Sequence, residues 1–169
     1  AFIGALTMIL GWLLSLSSAA ESTTTPAVDH TPAKLLIAAM GGALGWIVLE
    51  RLQGRLISTL GMVSGAIAGV VACSVVAAWI SPRAAFVVGV VGAAAGYFGA
   101  VVLRRIHQRD DSLDVFALHA LPALAGLFVL PFLDRPHAQI GIQVAGAMVI
   151  IAYSAIVTAM IVVQMKYFG

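Results

Sequence analysis

Six long stretches without a formal charge dominate this chain and leave it few ways to fold. They are Ala1–Ala20, Leu35–Leu49, Leu56–Pro82, Ala84–Leu103, Val115–Leu133 and Pro136–Met165. The nine basic and seven acidic residues are confined to the short clusters between them. A helix that crosses a bilayer needs about 20 mostly apolar residues, and five of the six stretches meet that requirement directly. Leu35–Leu49 is shorter, and Ala33 with the snorkelling side chains of Lys34 and Arg51 extends it. Charged residues make up 9% of the chain, where a soluble domain carries roughly 25%. The apolar runs are continuous and lack the period-two alternation of a membrane β-barrel. The sequence therefore predicts an all-α, polytopic membrane helix bundle. It forms one domain over residues 1–169, with six transmembrane helices near 2–20, 34–51, 57–80, 84–105, 112–133 and 138–166.

The net charge of +2 is no nucleic-acid footprint, because the cations sit in loops, where they report orientation. If the helices alternate, Arg51, Arg55, Arg104, Arg105, Arg109 and Lys166 share one side, and Lys34, Arg83 and Arg135 the other. That bias predicts that both ends of the segment face the cytoplasm from the cell membrane. Glu21–Ala33, rich in Ser, Thr and Pro, reads as an extramembrane loop. The opening stretch lacks the basic start of a signal peptide, and without an initiating methionine the chain reads as cut from something longer. The single cysteine, Cys73, reads as a small packed residue.

Small residues mark the packing faces. Gly61, Gly65 and Gly69 recur every four residues, and Gly92 and Gly96 repeat the spacing. Lipid gives helices no hydrophobic reason to associate, so such faces gain attraction through close backbone approach.

The chemistry-bearing residues concentrate at one place. In Asp110-Asp111-Ser112-Leu113-Asp114-Val115-Phe116-Ala117-Leu118-His119, a polar cluster precedes an apolar run whose only ionisable group is His119. An imidazole inside a membrane segment must find a partner within the protein, which makes His119 the first functional candidate. Asp111 and Ser112 read as helix caps. Asp114 lies deeper and could tie its helix to a neighbour. Trp46 and Trp79 read as interfacial anchors, whereas Trp12 lies too deep for one. His30, His107 and His137 fall in or beside loops and receive no role. No histidines have metal-ligand spacing and no nucleophile–base pair is visible, so neither a metal, a cofactor nor an enzyme is indicated.

Residues 110–119 resemble the Asp-Asp-x-x-Asp-Val-Phe-Gly-Val-His motif of the ammonium transporter (Amt/Mep/Rh) family. The segment Thr59–Val71 is similar to that family's Leu-Leu-Gly-Ala-x-x-Gly-Ala-Val-Ala-Gly-Leu-Val pattern. Gly96-Tyr97-Phe98, with Arg104 and Arg105, resembles the end of the intervening helix. Gln143 and Ile151-Ala152-Tyr153-Ser154 resemble the last helix, and Gly11-Trp12 resembles the sixth more loosely. The resemblance implies the last six helices of an eleven-helix homotrimeric channel that passes ammonium or ammonia through a hydrophobic pore. It implies that His119 is the second of two hydrogen-bonded pore histidines that relay a proton. Trp12, Ser15, Asp114 and Phe116 are then residues in or beside the pore. The first histidine would lie on helices that precede Ala1. Ser15 stands in place of a pore aromatic and Ala19 in place of a serine ligand. Ala117, Ala120 and Pro122 replace the usual glycines, and Pro122 is expected to bend its helix.

Two other readings compete with transport. One is an ammonium-sensing membrane module of a protein with a cytoplasmic regulatory or signalling domain. The other is a non-conducting fragment.

Overall fold

The computed structural model describes residues 2–21, 31–107, 114–133 and 139–168. These form six α-helices: α1 (Phe2–Glu21), α2 (Thr31–Leu52), α3 (Thr59–Ser74), α4 (Pro82–His107), α5 (Val115–Leu133) and α6 (Ile140–Phe168). No strand occurs among the described residues.

Local chemistry sets the helix ends. Past the end of α2, Gly54 adopts φ +68°, a left-handed conformation that costs glycine little. The Gly54 N–H donates to the Arg51 carbonyl at 3.0 Å and the Arg55 N–H to the Glu50 carbonyl at 2.9 Å, a Schellman closure of the helix. Ser58 then caps α3 by accepting from the Gly61 N–H at 2.9 Å. Pro82 opens α4 at the first helical position, where its missing N–H has no intrahelical acceptor to lose. The Ser81 hydroxyl accepts from the Ala84 N–H just beyond it.

Helices α2, α3 and α4 pack into a tight centre, with α5 against α3 and α4. Glycine makes this possible. A Cβ on Gly42 of α2 would overlap the Gly65 carbonyl of α3, and a Cβ on Gly65 would lie 2.5 Å from the Gly42 carbonyl. Gly69 and Gly89 press in the same way on the Ala38 carbonyl. Around these contacts lies a core of Leu35, Ala38, Val70, Val76, Val88 and Leu130. A second core joins Trp46, Ala68, Ala93, Tyr97 and Leu118. Helix α5 continues through Pro122 and Pro131, and Pro122 is fully buried. Helix α6 leans only lightly on α5 and presents apolar side chains on all sides.

Among the described residues, α2, α4, α5 and α6 are long and apolar enough to cross a membrane. The apolar parts of the other two are shorter, Leu6–Ser15 in α1 and Thr59–Ser74 in α3. At 1.5 Å per residue, α3 spans about 24 Å. The sequence placed its end near residue 80. Instead the chain tightens after Ser74 into turns, with the Val76 N–H on the Cys73 carbonyl and the Trp79 N–H on the Val76 carbonyl.

Lys34 corrects a second expectation. It does not snorkel outward but lies 7% exposed, donating from Nζ to the Ala77 carbonyl at 2.8 Å. The carbonyls beyond the end of α3 offer a cation better hydrogen bonding than lipid does. Helix α2 gains its length from Thr31 onward instead. Trp46 is likewise buried rather than interfacial, whereas Trp79 is exposed. Cys73 is packed in the core, with Sγ 3.8 Å from the Lys34 carbonyl oxygen.

Candidate functional site

His119 lies in the second turn of α5, half-buried. Its Nδ1 is 2.9 Å from the Val115 carbonyl, one turn back. A carbonyl can only accept, so this bond is made by the tautomer with the proton on Nδ1, which keeps the lone pair on Nε2. Trp12 of α1 comes across to lie over the imidazole, with ring centroids 6.3 Å apart and planes inclined by 19°. An aromatic face beside an imidazole supports the neutral ring and attracts the charged one. Two residues distant in sequence, both singled out from it, thus meet at one place.

Asp114 precedes α5 and ties it to α4. Its carboxylate forms a two-pronged ion pair with Arg104, Nε to Oδ1 at 3.0 Å and Nη2 to Oδ2. Its backbone takes φ +46°, a left-handed value that aspartate tolerates better than most residues. Its carbonyl accepts the Leu118 N–H at 2.9 Å and so starts the helix. Asp111 and Ser112, with their expected capping roles, lie outside the described residues, as does Asp110.

The structure does not gather every candidate. Phe116 is 57% exposed and turns into an apolar cavity of about 800 Å³ between α5 and α6, which Ala120, Leu124, Ser154 and Thr158 also line. Ser15 follows Trp12 by one turn and is exposed. The side chain of Ala19 lies outside the described residues, as do His30 and His137. Among the described residues, no group of three or more histidine, cysteine, aspartate or glutamate side chains could hold a metal.

Reasoning from the sequence missed two polar features. Arg104 was counted as a loop charge, although the deeper position of Asp114 calls for a cation nearby. The buried Glu50 accepts from Trp46 Nε1 at 3.3 Å, the Ser58 N–H at 3.0 Å and the Ser58 hydroxyl at 2.8 Å. A glutamate four residues beyond a tryptophan, closing an apolar run, was the available signal.

Comparison with known proteins places this architecture. The model of the Ammonium Transporter Family matches residues 1–169. An ammonium transporter of Corynebacterium glutamicum is 36% identical over 142 residues, 83% of this chain and 31% of that protein. The ammonium transporter MEP2 of Saccharomyces cerevisiae is 29% identical over 97% of this chain and 37% of its own length. The crystal structure of Saccharomyces cerevisiae Mep2 superposes with a TM-score of 0.87 at 25% identity, covering 99% of this chain and 44% of that one. Candida albicans Mep2 gives the same TM-score and identity, over 99% and 40%. The chain therefore spans about a third of the curated relatives and under half of the solved chains. These relatives are transporters rather than enzymes. With a family match along its whole length and helices suited to a bilayer, this integral membrane protein belongs to the ammonium transporter family.

Proposed function

We propose that this chain supplies the His119-bearing part of a pathway that carries ammonium or ammonia across the cell membrane. The observation that carries the reading is the His119–Trp12 pair, an imidazole with one nitrogen engaged by its own helix and an indole over its face. Such a group can take a proton from ammonium and return it, since one ring nitrogen carries a proton while the other keeps a lone pair. Apolar walls around it oppose passage of a bare cation. Neutral ammonia crosses the constriction while the proton moves by way of the imidazole and a second histidine from helices outside this chain. Trp12 and Ser15 line the path on the α1 side. Phe116 and Asp114 shape the α5 side, Asp114 from the base of the helix. The assembly is a homotrimer in the lipid bilayer, with both ends of this segment in the cytoplasm.

Growth of a host deficient in ammonium uptake, on limiting ammonium, tests the reading. The complete native protein should restore growth, and His119→Ala should abolish or degrade that rescue. A well-expressed wild-type protein that gives no rescue contradicts transport and turns attention to the sensing module or the non-conducting fragment.

A further inference from the structure

We propose that Lys34 is a specificity-determining residue: its ammonium, buried at the end of the bundle away from His119, is a fixed charge that repels cations on the pathway and leaves neutral ammonia untouched. The inference rests on the transport reading, and its test includes a binding measurement that does not.

Nothing in its own helix favours this cation. Lys34 lies in the first turn of α2, where the helix dipole is positive and no acidic residue is present. It is buried all the same, with Nζ donating to the Ala77 carbonyl at 2.8 Å. Among the described residues the ion pair is that of Arg104 with Asp114, and no carboxylate neutralises Lys34. A carbonyl dipole orients the ammonium but does not cancel its charge. Arg51 and Arg55, at the opposite end of α2, are exposed, so water and salt screen them, whereas the buried Lys34 is screened far less.

The charge lies within reach of the pathway. A Cβ on Gly126 of α5 would overlap the Ala72 carbonyl of α3, so these two helices touch at that level. His119 comes about two turns before Gly126 on α5, and Ala77 lies farther along the chain beyond Ala72. That puts the ammonium and the imidazole about 15–20 Å apart. Trp12, stacked on His119, also packs against the core that includes Ala77. At such a distance, with an effective permittivity of about 20, one unit charge lowers the occupancy of another about fivefold, and more for a cation nearer the Lys34 end. Ammonia has no net charge to be repelled, and fixed charges of this kind serve as barriers to cations in narrow pores.

The test compares the complete protein with Lys34→Arg, which keeps the charge, and with two neutral variants. Of these, Lys34→Gln can still donate to a carbonyl and Lys34→Met cannot. Uptake of methylammonium, a cation at neutral pH, is followed in proteoliposomes against its concentration. The half-saturating concentration should fall about fivefold in both neutral variants and stay within about twofold of the wild type in Lys34→Arg. A merely structural lysine would instead lower the maximal rate, and the two neutral variants would then differ according to the hydrogen bond. Equal half-saturation in the wild type and both neutral variants would overturn the proposal. Ala78→Asp leaves Lys34 in place and sets an opposite charge on the exposed neighbour of Ala77. It should lower half-saturation at least about twofold, and no change there would overturn the proposal even if no Lys34 variant folds. Binding is read separately, from the rise of the unfolding midpoint with methylammonium in detergent, against tetramethylammonium at equal ionic strength. The same tightening in the neutral variants of a protein that transports nothing would uphold the charge effect and refute the transport reading alone. A wild type with neither uptake nor binding would refute both.

Discussion

Glu50 and Ser58 clasp the turn between α2 and α3 from both sides. The carboxylate takes the Ser58 N–H on one oxygen and the Ser58 hydroxyl on the other, while Oγ accepts the Gly61 N–H. A buried carboxylate is tolerated here because donors meet both of its oxygens. Glu50→Ala should therefore lower stability by about 2–3 kcal/mol, since it strips hydrogen bonds to a charged acceptor. Gly61→Ala should do comparable damage. Its Cβ would sit 2.6 Å from Trp46 Nε1, 2.7 Å from Ser58 Oγ and closer still to the carboxylate. Thermal unfolding of the detergent-solubilised protein measures both. An unchanged midpoint in both variants would show that the clasp is decorative.

Gly42 and Gly65 bring two helix backbones together with no room for a methyl group. Gly65→Ala must separate α2 from α3 or distort one of them, and overpacking of this kind costs about 1–3 kcal/mol. Gly141→Ala is the control, because nothing lies within 4 Å of the added carbon. The prediction is a lowered midpoint for the first and none for the second.

Lys34 donates to the Ala77 carbonyl from a buried position. Replacing it with an apolar residue of similar length removes a desolvated charge but leaves the Ala77 carbonyl without its donor. Lys34→Met should thus cost about 1–3 kcal/mol. Lys34→Glu would put a carboxylate against a carbonyl oxygen and should cost at least about 3 kcal/mol. Equal unfolding midpoints for the two variants would contradict the inward placement of this side chain.

Helix number and order were legible in the sequence because the charges of this chain interrupt its apolar runs near the helix ends. The pairing of polar groups was not. Arg104 and Lys34 both look like boundary charges in one dimension. One finds a carboxylate at the start of the next helix and the other a carbonyl in the turns that follow α3, and only packing creates those partners. Trp46 looked like an interfacial anchor until α4 brought Tyr97 to it, at 5.0 Å and nearly perpendicular. The end of α3 escaped because residues 75–80 stay apolar while the helical hydrogen bonding stops. His119 was legible for the opposite reason. An imidazole alone in an apolar run stands out wherever its partners come from, and Trp12 stood out by its depth.

The indole over the imidazole should matter for handling of the cation. Trp12→Leu keeps the apolar volume but removes the aromatic face, and an exposed to partly buried cation–π contact is worth about 0.5–2 kcal/mol. The rate of methylammonium uptake by the complete protein in proteoliposomes should fall about 2- to 30-fold. Trp12→Phe should fall less. Equal rates for all three proteins would remove Trp12 from the pathway.

The central claim is that His119 handles the proton of the transported species and thereby excludes other cations. The most direct measurement is paired uptake of methylammonium and potassium by proteoliposomes containing the complete protein, wild type against His119→Ala. A wild type that takes up methylammonium and rejects potassium, beside a variant that loses the uptake or admits potassium, is the predicted result. Unchanged methylammonium uptake with unchanged rejection of potassium in His119→Ala would contradict the account.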